Sequence, residues 1–464
     1  MTDLLTDSSY KWPSKYDNPF GHQRVTAEFF IRNKRSYCFN EIGSAKTLSA
    51  LCAADFLMES KAVNKVLIAA PLSTLWAVWD DEIWSNLFHR RAIVLHGSKE
   101  KRIQLLKEDA DFYIINHEGL RVIYHELVAK KGIDLVILDE GAKLRNARTA
   151  LWKAANMYMG AHTKKGLWWM TGSPMPGGPT DCWAQARIVN PDLVPKYFTR
   201  FREQVSYQTM QGAYPKWIPF KGWEANCFKV LQPSIRFTRE ECMDLPDCTV
   251  QRRQVEMAPE QSKAYRSMLS TFRAALKDGT ITAVNEGVKR IKLMQLAAGA
   301  VYDGNEFVHN LNCKPKLNAL HEVVETSGNK ALIFVSFKHS IPLLRNYLES
   351  KGLSVAAVHG GVSVKDRTRI FHEFQHKSLQ VIVSHPACMA HGLTLTASHT
   401  IIWWSPVDSF ATYEQACGRI SRPGQKYKQT IVHLICAEVE RKIYGRLANR
   451  EKMQGLLTDL LKEK

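Results

Sequence analysis

A chain of 464 residues with 45% hydrophobic residues and no low-complexity tract can bury large cores, and its length leads to an expectation of two to four globular domains. The formal charge of +18, from 63 Lys+Arg against 45 Asp+Glu, favours a polyanionic partner such as nucleic acid. Ten cysteines without a Cys-x-x-Cys pair argue against a zinc site and against a disulfide framework. No apolar run is long enough to span a bilayer, and Met1 to Phe20 lack the charged start and apolar core of a signal peptide, so the expected setting is the cytoplasm, with no membrane partner.

Taken in chain order, Ser36–Asn40 reads as a short strand, Glu41–Thr47 as a small-residue loop and Leu48–Met58 as a helix. β-rich runs follow at Lys65–Pro71, Phe112–His117, Asp134–Glu140 and Gly166–Pro174, separated by longer helical stretches. That alternation predicts a parallel sheet covered by helices. From about residue 195 the pattern changes: aromatic and basic residues precede a stretch that reads as helical from Pro259 to Ala300. A second alternating set then runs through Ala331–Phe337, Ser354–Gly360, Leu379–Pro386, Thr400–Pro406 and Thr430–Ile435, and Glu438–Lys464 reads as a charged helical tail. The fold class is α/β: a first lobe over 1–200, a linking and partly helical insert over 201–300, a second lobe over 301–440 and a C-terminal helical tail over 441–464.

Chemistry concentrates at the ends of these strands. The loop with Gly43, Ser44, Ala45, Lys46 and Thr47 is similar to a phosphate-binding loop, in which backbone N–H groups and a helix N-terminus cradle phosphates. The glycine that normally precedes the lysine is replaced by Ala45, and taken alone the loop is as consistent with an ordinary turn. Asp139 and Glu140 end a strand, where ligands bind in parallel sheets; Asp139 suits Mg²⁺ and Glu140 suits the orientation or deprotonation of an attacking water. An isolated acidic pair would more often be two solvated carboxylates. The turn Thr171–Pro174 follows the next strand. In the second half Arg419 and Arg422 are three apart, which predicts a shared helix face aimed at a γ-phosphate, with Gln415 one turn earlier. Guanidinium suits that task because its planar donors match phosphate oxygens and its charge is permanent.

The ordered set Gln23, Gly43–Thr47, Ala70–Trp76, Asp139-Glu140, Thr171–Pro174, Phe334–Phe337, His391–Ser398 and Gln415–Gln425 resembles a superfamily 2 helicase-type ATPase. Within that superfamily it is similar to the Swi/Snf-type DNA translocases, particularly the compact bacteriophage type. The narrower likeness rests on Ile235–Leu269, with its basic segment, Leu-Pro turn and Pro-Glu-Gln helix start; the whole likeness covers roughly residues 15 to 450.

This resemblance implies two RecA-like lobes and an enzyme that hydrolyses ATP with Mg²⁺. Gln23 would read adenine; Gly43, Ser44, Ala45, Lys46, Thr47 and Gln415 would bind nucleotide, with Thr47 and Asp139 on the metal. Lys46, Asp139, Glu140, Arg419 and Arg422 would be the catalytic set, the two arginines acting as fingers. Ser73, Thr74, His117, Ser336, His359, Gly392 and Thr394 would touch the nucleic-acid backbone or couple to it.

The implied activity is DNA-dependent translocation, on duplex or branched DNA in preference to RNA, with branch migration or remodelling in replication, recombination or repair. A strand-separating DNA or RNA helicase is one alternative. A degenerate ATPase serving as a DNA-binding scaffold is another, suggested by Ala45 and by Gly141, since the family often has Ala-His after the acidic pair. Ala45 is expected to take a left-handed conformation costing about 1–2 kcal/mol. The pairs Trp168-Trp169 and Trp403-Trp404 read as core.

Overall fold

The structure, a computed structural model, describes residues 10–13, 19–41, 43–211, 214–242, 246–277, 283–302, 307–328, 330–389, 394–422 and 424–449. The chain divides into two compact units, one ending at Asp244 and the other running from Leu245 to Asn449.

Seven parallel strands form the sheet of the first unit: β1 (Arg35–Cys38), β2 (Lys65–Ala70), β3 (Ala92–Val94), β4 (Phe112–Asn116), β5 (Ile133–Asp139), β6 (Gly166–Met170) and β9 (Ser234–Ile235). Their order is β3-β4-β2-β5-β6-β1-β9. An antiparallel hairpin, β7 (Ser206–Gln211) with β8 (Tyr214–Pro219), interrupts the series. Central strands are buried along almost their whole length because helices cover both faces, and this is why they read as continuous apolar runs. Alternation sends Trp168 into one core with Cys38, Ile68 and Ile137, and Trp169 into the other with Tyr37, Leu67 and Leu138. Both tryptophans are at most 1% exposed, so they are core residues.

The second unit holds six parallel strands in the order β10-β17-β16-β13-β15-β14. These are β10 (Cys248–Gln254), β13 (Lys330–Phe334), β14 (Val355–Val358), β15 (Val381–Ser384), β16 (Ser398–Trp403) and β17 (Gln429–Ile435). A small antiparallel pair, β11 (Ala300–Tyr302) with β12 (Val308–Asn310), lies apart from that sheet. Trp403 and Trp404 again point into opposite cores. Trp404 packs under the Lys316 ammonium, which is itself paired with Glu440 at 2.7 Å, both side chains 1% exposed. A buried pair of this kind is costly to break from one side, since it strands the other charge.

The expected insert over 201–300 does not stand apart. Phe201, Val205, Trp223, Cys227, Val230 and Leu231 pack into the core of the first unit, and β9 extends its sheet. The strand β10 joins the second sheet instead. It was not visible as a strand because "CTVQRRQ" lies mostly exposed at a sheet edge and carries no apolar run. The single helical stretch expected over Pro259–Ala300 is two helices, Pro259–Lys277 and Ala283–Ala297, followed by β11. In the expected tail, residues 438–449 are helical and bury Ile443, Tyr444 and Leu447 in the second unit's core; residues 450–464 lie outside the described residues. No helix among the described residues is long and apolar enough to cross a membrane.

Candidate functional site

One edge of the first sheet collects the chemistry. The loop after β1, the turn after β2, His117 after β4, the acidic pair at the end of β5 and the turn after β6 all stand at the C-terminal ends of parallel strands.

The loop after β1 leads into helix α2 (Lys46–Glu59), packed beside helix α1 (Gly21–Arg32). Gly43 has φ 96°, and Ala45, the residue at the helix start, has φ 52° and ψ 38°. The expectation of a left-handed alanine is met. No side chain caps the start of α2, so its first N–H groups and the positive end of its dipole are offered at the loop. Lys46 Nζ donates to the carbonyls of Asn40 at 2.7 Å and Glu41 at 2.9 Å. Ser44 Oγ donates to the Glu41 carbonyl at 2.8 Å, and the Ser44 carbonyl lies 3.1 Å from His22 Nε2. Burial lowers the His22 pKa, and the contact with Ser44 partly opposes it. Burial also pushes the Cys38 thiol up to about 11, against the pull of the Lys46 ammonium. Thr47 is half-buried in the first turn of α2.

Gln23 is 4% exposed, and its Oε1 accepts from the Phe20 N–H at 3.0 Å. Its oxygen therefore closes the start of α1, a local role that the isolated glutamine in the sequence did not signal.

At the end of β5 the Asp139 carboxylate is held from two sides. Oδ2 accepts from Trp79 Nε1 at 3.0 Å, and Oδ1 accepts from the Glu140 N–H at 3.0 Å. The Asp139 carbonyl lies 2.8 Å from His117 Nε2. Glu140 adopts φ 50°, ψ 44°, and its carbonyl accepts from Lys143 N to open the short 3₁₀ turn Gly141–Leu144. Gly141 has a steric cause: a Cβ there would lie 2.3 Å from a carbon of the Trp169 indole. After β6, the Thr171 N–H donates to the Cys38 carbonyl at 3.0 Å and Thr171 Oγ1 accepts from Ser173 N at 3.2 Å. This ties the Thr-Gly-Ser turn to β1, directly ahead of the phosphate-type loop.

The residues expected to touch nucleic acid divide by exposure. Ser73 and Thr394 are exposed. Thr74 is 2% exposed with its hydroxyl on the Pro71 carbonyl, and His117 is 4% exposed against Asp139. Ser336 Oγ donates to the Pro406 carbonyl at 2.6 Å, while its N–H donates to Ser405 Oγ. His359 is half-buried, its Nδ1 accepting from the Gly361 N–H at 3.1 Å. Gly392 lies outside the described residues.

The arginines correct the helix-face expectation. The helix Phe410–Cys417 contains Gln415 but ends at Gly418, so Arg419 and Arg422 lie in the turn beyond it. Beyond Cys417 the Arg419 N–H donates to the Ala416 carbonyl at 3.3 Å, a tighter turn that replaces the next helical one. Arg419 is 1% exposed, and its carbonyl accepts from Leu395 N at 3.0 Å. Arg422 is half-buried and its Nε donates to the Gly418 carbonyl at 3.2 Å. Gln425 Nε2 anchors the same turn on the carbonyls of Ser398 and Ile420. Behind it, Tyr413 Oη lies 2.9 Å from His433 Nε2, and burial pushes His433 down to about 3.

Three residues that position these groups were not singled out in the sequence: Trp79, Arg236 and Gln425. Arg236 and Gln425 lie inside the segments quoted for the family resemblance, but their contacts join points distant in sequence. Nothing in the spacing of Trp79 points to Asp139.

Thr47 and Asp139 bring a hydroxyl and a carboxylate, hard oxygen donors of the kind Mg²⁺ takes. A separate group, Asp55, Glu59 and His89, also brings ligand atoms within 4.8 Å of one another. There Asp55 already accepts from Arg90 Nε at 2.6 Å and Tyr10 Oη at 3.0 Å, which makes it the centre of an ion network.

A model of the SNF2-related domain matches residues 22–300, more than half of the chain, and one of the helicase conserved C-terminal domain matches residues 315–424. The chain belongs to the SNF2-related family. It is accordingly an ATP hydrolase of superfamily 2. It is 24% identical over 96% of its length to protein p41 of Acyrthosiphon pisum secondary endosymbiont phage 1, covering 99% of that protein. It is 22% identical over 94% of its length to the DNA repair and recombination protein RAD54-like of Drosophila persimilis, of which it spans 63%. With the SWI/SNF-related matrix-associated actin-dependent regulator of chromatin subfamily A-like protein 1 of Xenopus laevis the identity is 24% over 89% of this chain, which spans 41% of that protein. Among solved structures, the SWI2/SNF2 ATPase core of Sulfolobus solfataricus in complex with dsDNA aligns with a TM-score of 0.46 and 20% identity, over 95% of this chain and 93% of that one. In this SNF2-related chain Gly141 and Ala142 follow the acidic pair, and the close approach of Trp169 accounts for the glycine.

Proposed function

We propose that this SNF2-related ATPase is driven by DNA and moves along duplex or branched DNA, remodelling or branch-migrating it without separating strands. The observation that carries the reading is the gathering of Lys46, Thr47, Asp139 and Glu140 at one sheet edge, in loops where the non-glycine residues Ala45 and Glu140 adopt left-handed backbone. The net charge of +18 and the naming of relatives for DNA repair and recombination support DNA as the partner.

In this reading Lys46 serves the phosphates, with Gly43, Ser44 and Ala45 forming the cradle; Gln23 and Gln415 serve the nucleotide. Thr47 and Asp139 would hold Mg²⁺, which when bound neutralises phosphate charge. Glu140 orients the attacking water, and Arg419 and Arg422 act on the charge that develops on the transferred phosphoryl group. Ser73 and Thr394, the exposed members of the nucleic-acid set, contact the DNA backbone. Thr74, His117, Ser336 and His359 act indirectly, by fixing the turns that carry those contacts.

The test is ATP turnover with no nucleic acid, single-stranded DNA, duplex DNA, a four-way junction and RNA, alongside triplex-displacement and forked-duplex assays. Duplex or junction DNA is expected to stimulate turnover in a salt-sensitive way, and the protein is expected to displace a triplex strand while leaving the fork intact. Lys46→Ala should lower turnover by ~10²–10³-fold. Turnover indifferent to every nucleic acid, or unchanged in Lys46→Ala, would overturn the reading.

A further inference from the structure

The phosphate-type loop carries a negative charge of its own. Glu41 lies between Asn40 and the left-handed turn, and its backbone carbonyl is one of the two on which Lys46 Nζ rests. A carboxylate at that position works against a polyanionic ligand, because it repels phosphate and competes for the lysine. The sequence offers no remedy nearby.

The remedy comes from nearly two hundred residues away. Arg236, directly after β9, is 7% exposed at its side chain. Its Nη2 donates to Glu41 Oε1 at 2.8 Å, and its Nη1 donates to the Phe39 carbonyl at 2.9 Å. The backbone beside it repeats the grip. Phe237 N donates to Asn40 Oδ1 at 2.9 Å, Glu41 N donates to the Phe237 carbonyl at 3.0 Å, and Phe39 N donates to the Ile235 carbonyl at 2.8 Å. Asn40, fully buried, donates through Nδ2 to Thr26 Oγ1 and so joins α1 to the same network. Residues 39–41 are thus stitched along one side to residues 235–237, with Lys46 bonded to their carbonyls.

We propose that Arg236 is a positioning residue of the nucleotide site: it cancels the Glu41 charge and holds the loop so that Lys46 is kept for phosphate. The inference rests on the ATP-site reading above.

The pair has a signature that a merely structural contact lacks. If Arg236 acts through charge, the two single variants move ATP affinity in opposite directions. Arg236→Ala removes the guanidinium from beside the Glu41 carboxylate and should raise KM for ATP by roughly tenfold, with a smaller effect on kcat. Glu41→Gln removes one negative charge from beside the Arg236 guanidinium and should lower KM a few-fold. The double variant should return towards the wild-type KM. Steady-state ATPase kinetics at saturating duplex DNA, with melting temperatures for each variant, read all three. A KM raised in both single variants, or a double variant no better than Arg236→Ala, would overturn the proposal. Should Arg236→Ala melt below the assay temperature, the sign of the Glu41→Gln effect decides alone: a lowered KM supports charge compensation, and an unchanged or raised KM refutes it. Loss of the ATP-site reading itself looks different, because Lys46→Ala would then turn over ATP like the wild type.

Discussion

In the first unit the residues gathered at the sheet edge hold unfavourable backbone, whereas in the second unit the candidate residues are held by hydrogen bonds. Among the described residues three non-glycines have positive φ, Ala45, Lys61 and Glu140; all belong to the first unit, and two are at the site. Each such residue costs on the order of 1–3 kcal/mol and persists only where its surroundings over-determine it. Those surroundings are visible. Ala45 stands between Ser44, tied to Glu41 and His22, and Lys46, tied to Asn40 and Glu41. Glu140 stands between Asp139, held by Trp79, and Gly141, pressed against Trp169. In the turn bearing Arg419 and Arg422, carbonyls of Gly418, Ser398 and Ile420 accept from Arg422 and Gln425. In both units hydrogen bonds between segments hold the turns; in the first they also hold two non-glycine residues at positive φ.

The contrast can be tested most severely at Arg422. If its guanidinium serves the reaction, Arg422→Ala should lower kcat by about 10³-fold with KM for ATP little changed. A fall in melting temperature with kcat preserved would instead make it only the staple of the Phe410–Cys417 helix end. The next effect is on stability in the first unit. Gly141→Ala places a methyl group against the Trp169 indole and should destabilise the protein by ~1–3 kcal/mol in denaturant unfolding. The smaller Trp169→Leu side chain should lessen that penalty when combined with it, and no rescue would mean the clash is not its source. Smallest is Ala45→Gly. Removing about 1–2 kcal/mol of left-handed strain is offset by the extra freedom of glycine in the unfolded chain, which leaves a gain of at most ~1 kcal/mol. ATP turnover should be intact or improved, and its loss would show that the alanine methyl has a part of its own.

Local chemistry made much of this legible in advance. Strands buried on both faces are written as apolar runs, so β1, β2, β4, β5 and β6 of the first unit, and all of the second sheet but β10, were visible within a few residues of their ends. Left-handed strain at Ala45 followed from its place in the loop. What was hidden lay at exposed or very short elements. β3, β9 and β10 have too few apolar residues to stand out. Glu140 gave no warning of its positive φ, because glutamate is an ordinary strand-end residue.

The sequence by itself determined the family, the two-sheet α/β plan and the order in which the candidate residues meet the sheet edge, because these are properties of short segments and their spacing. Only the tertiary structure decided which groups hold those residues in place. Trp79 reaches Asp139 across 60 positions and Arg236 reaches Glu41 across 195. Helix ends, too, escaped the spacing, since the helix ends at Cys417, before Arg419 and Arg422 could share its face. Periodicity reports what a segment does with its own neighbours, whereas a site is finished by contacts between segments, and those exist only once the sheet has brought them together.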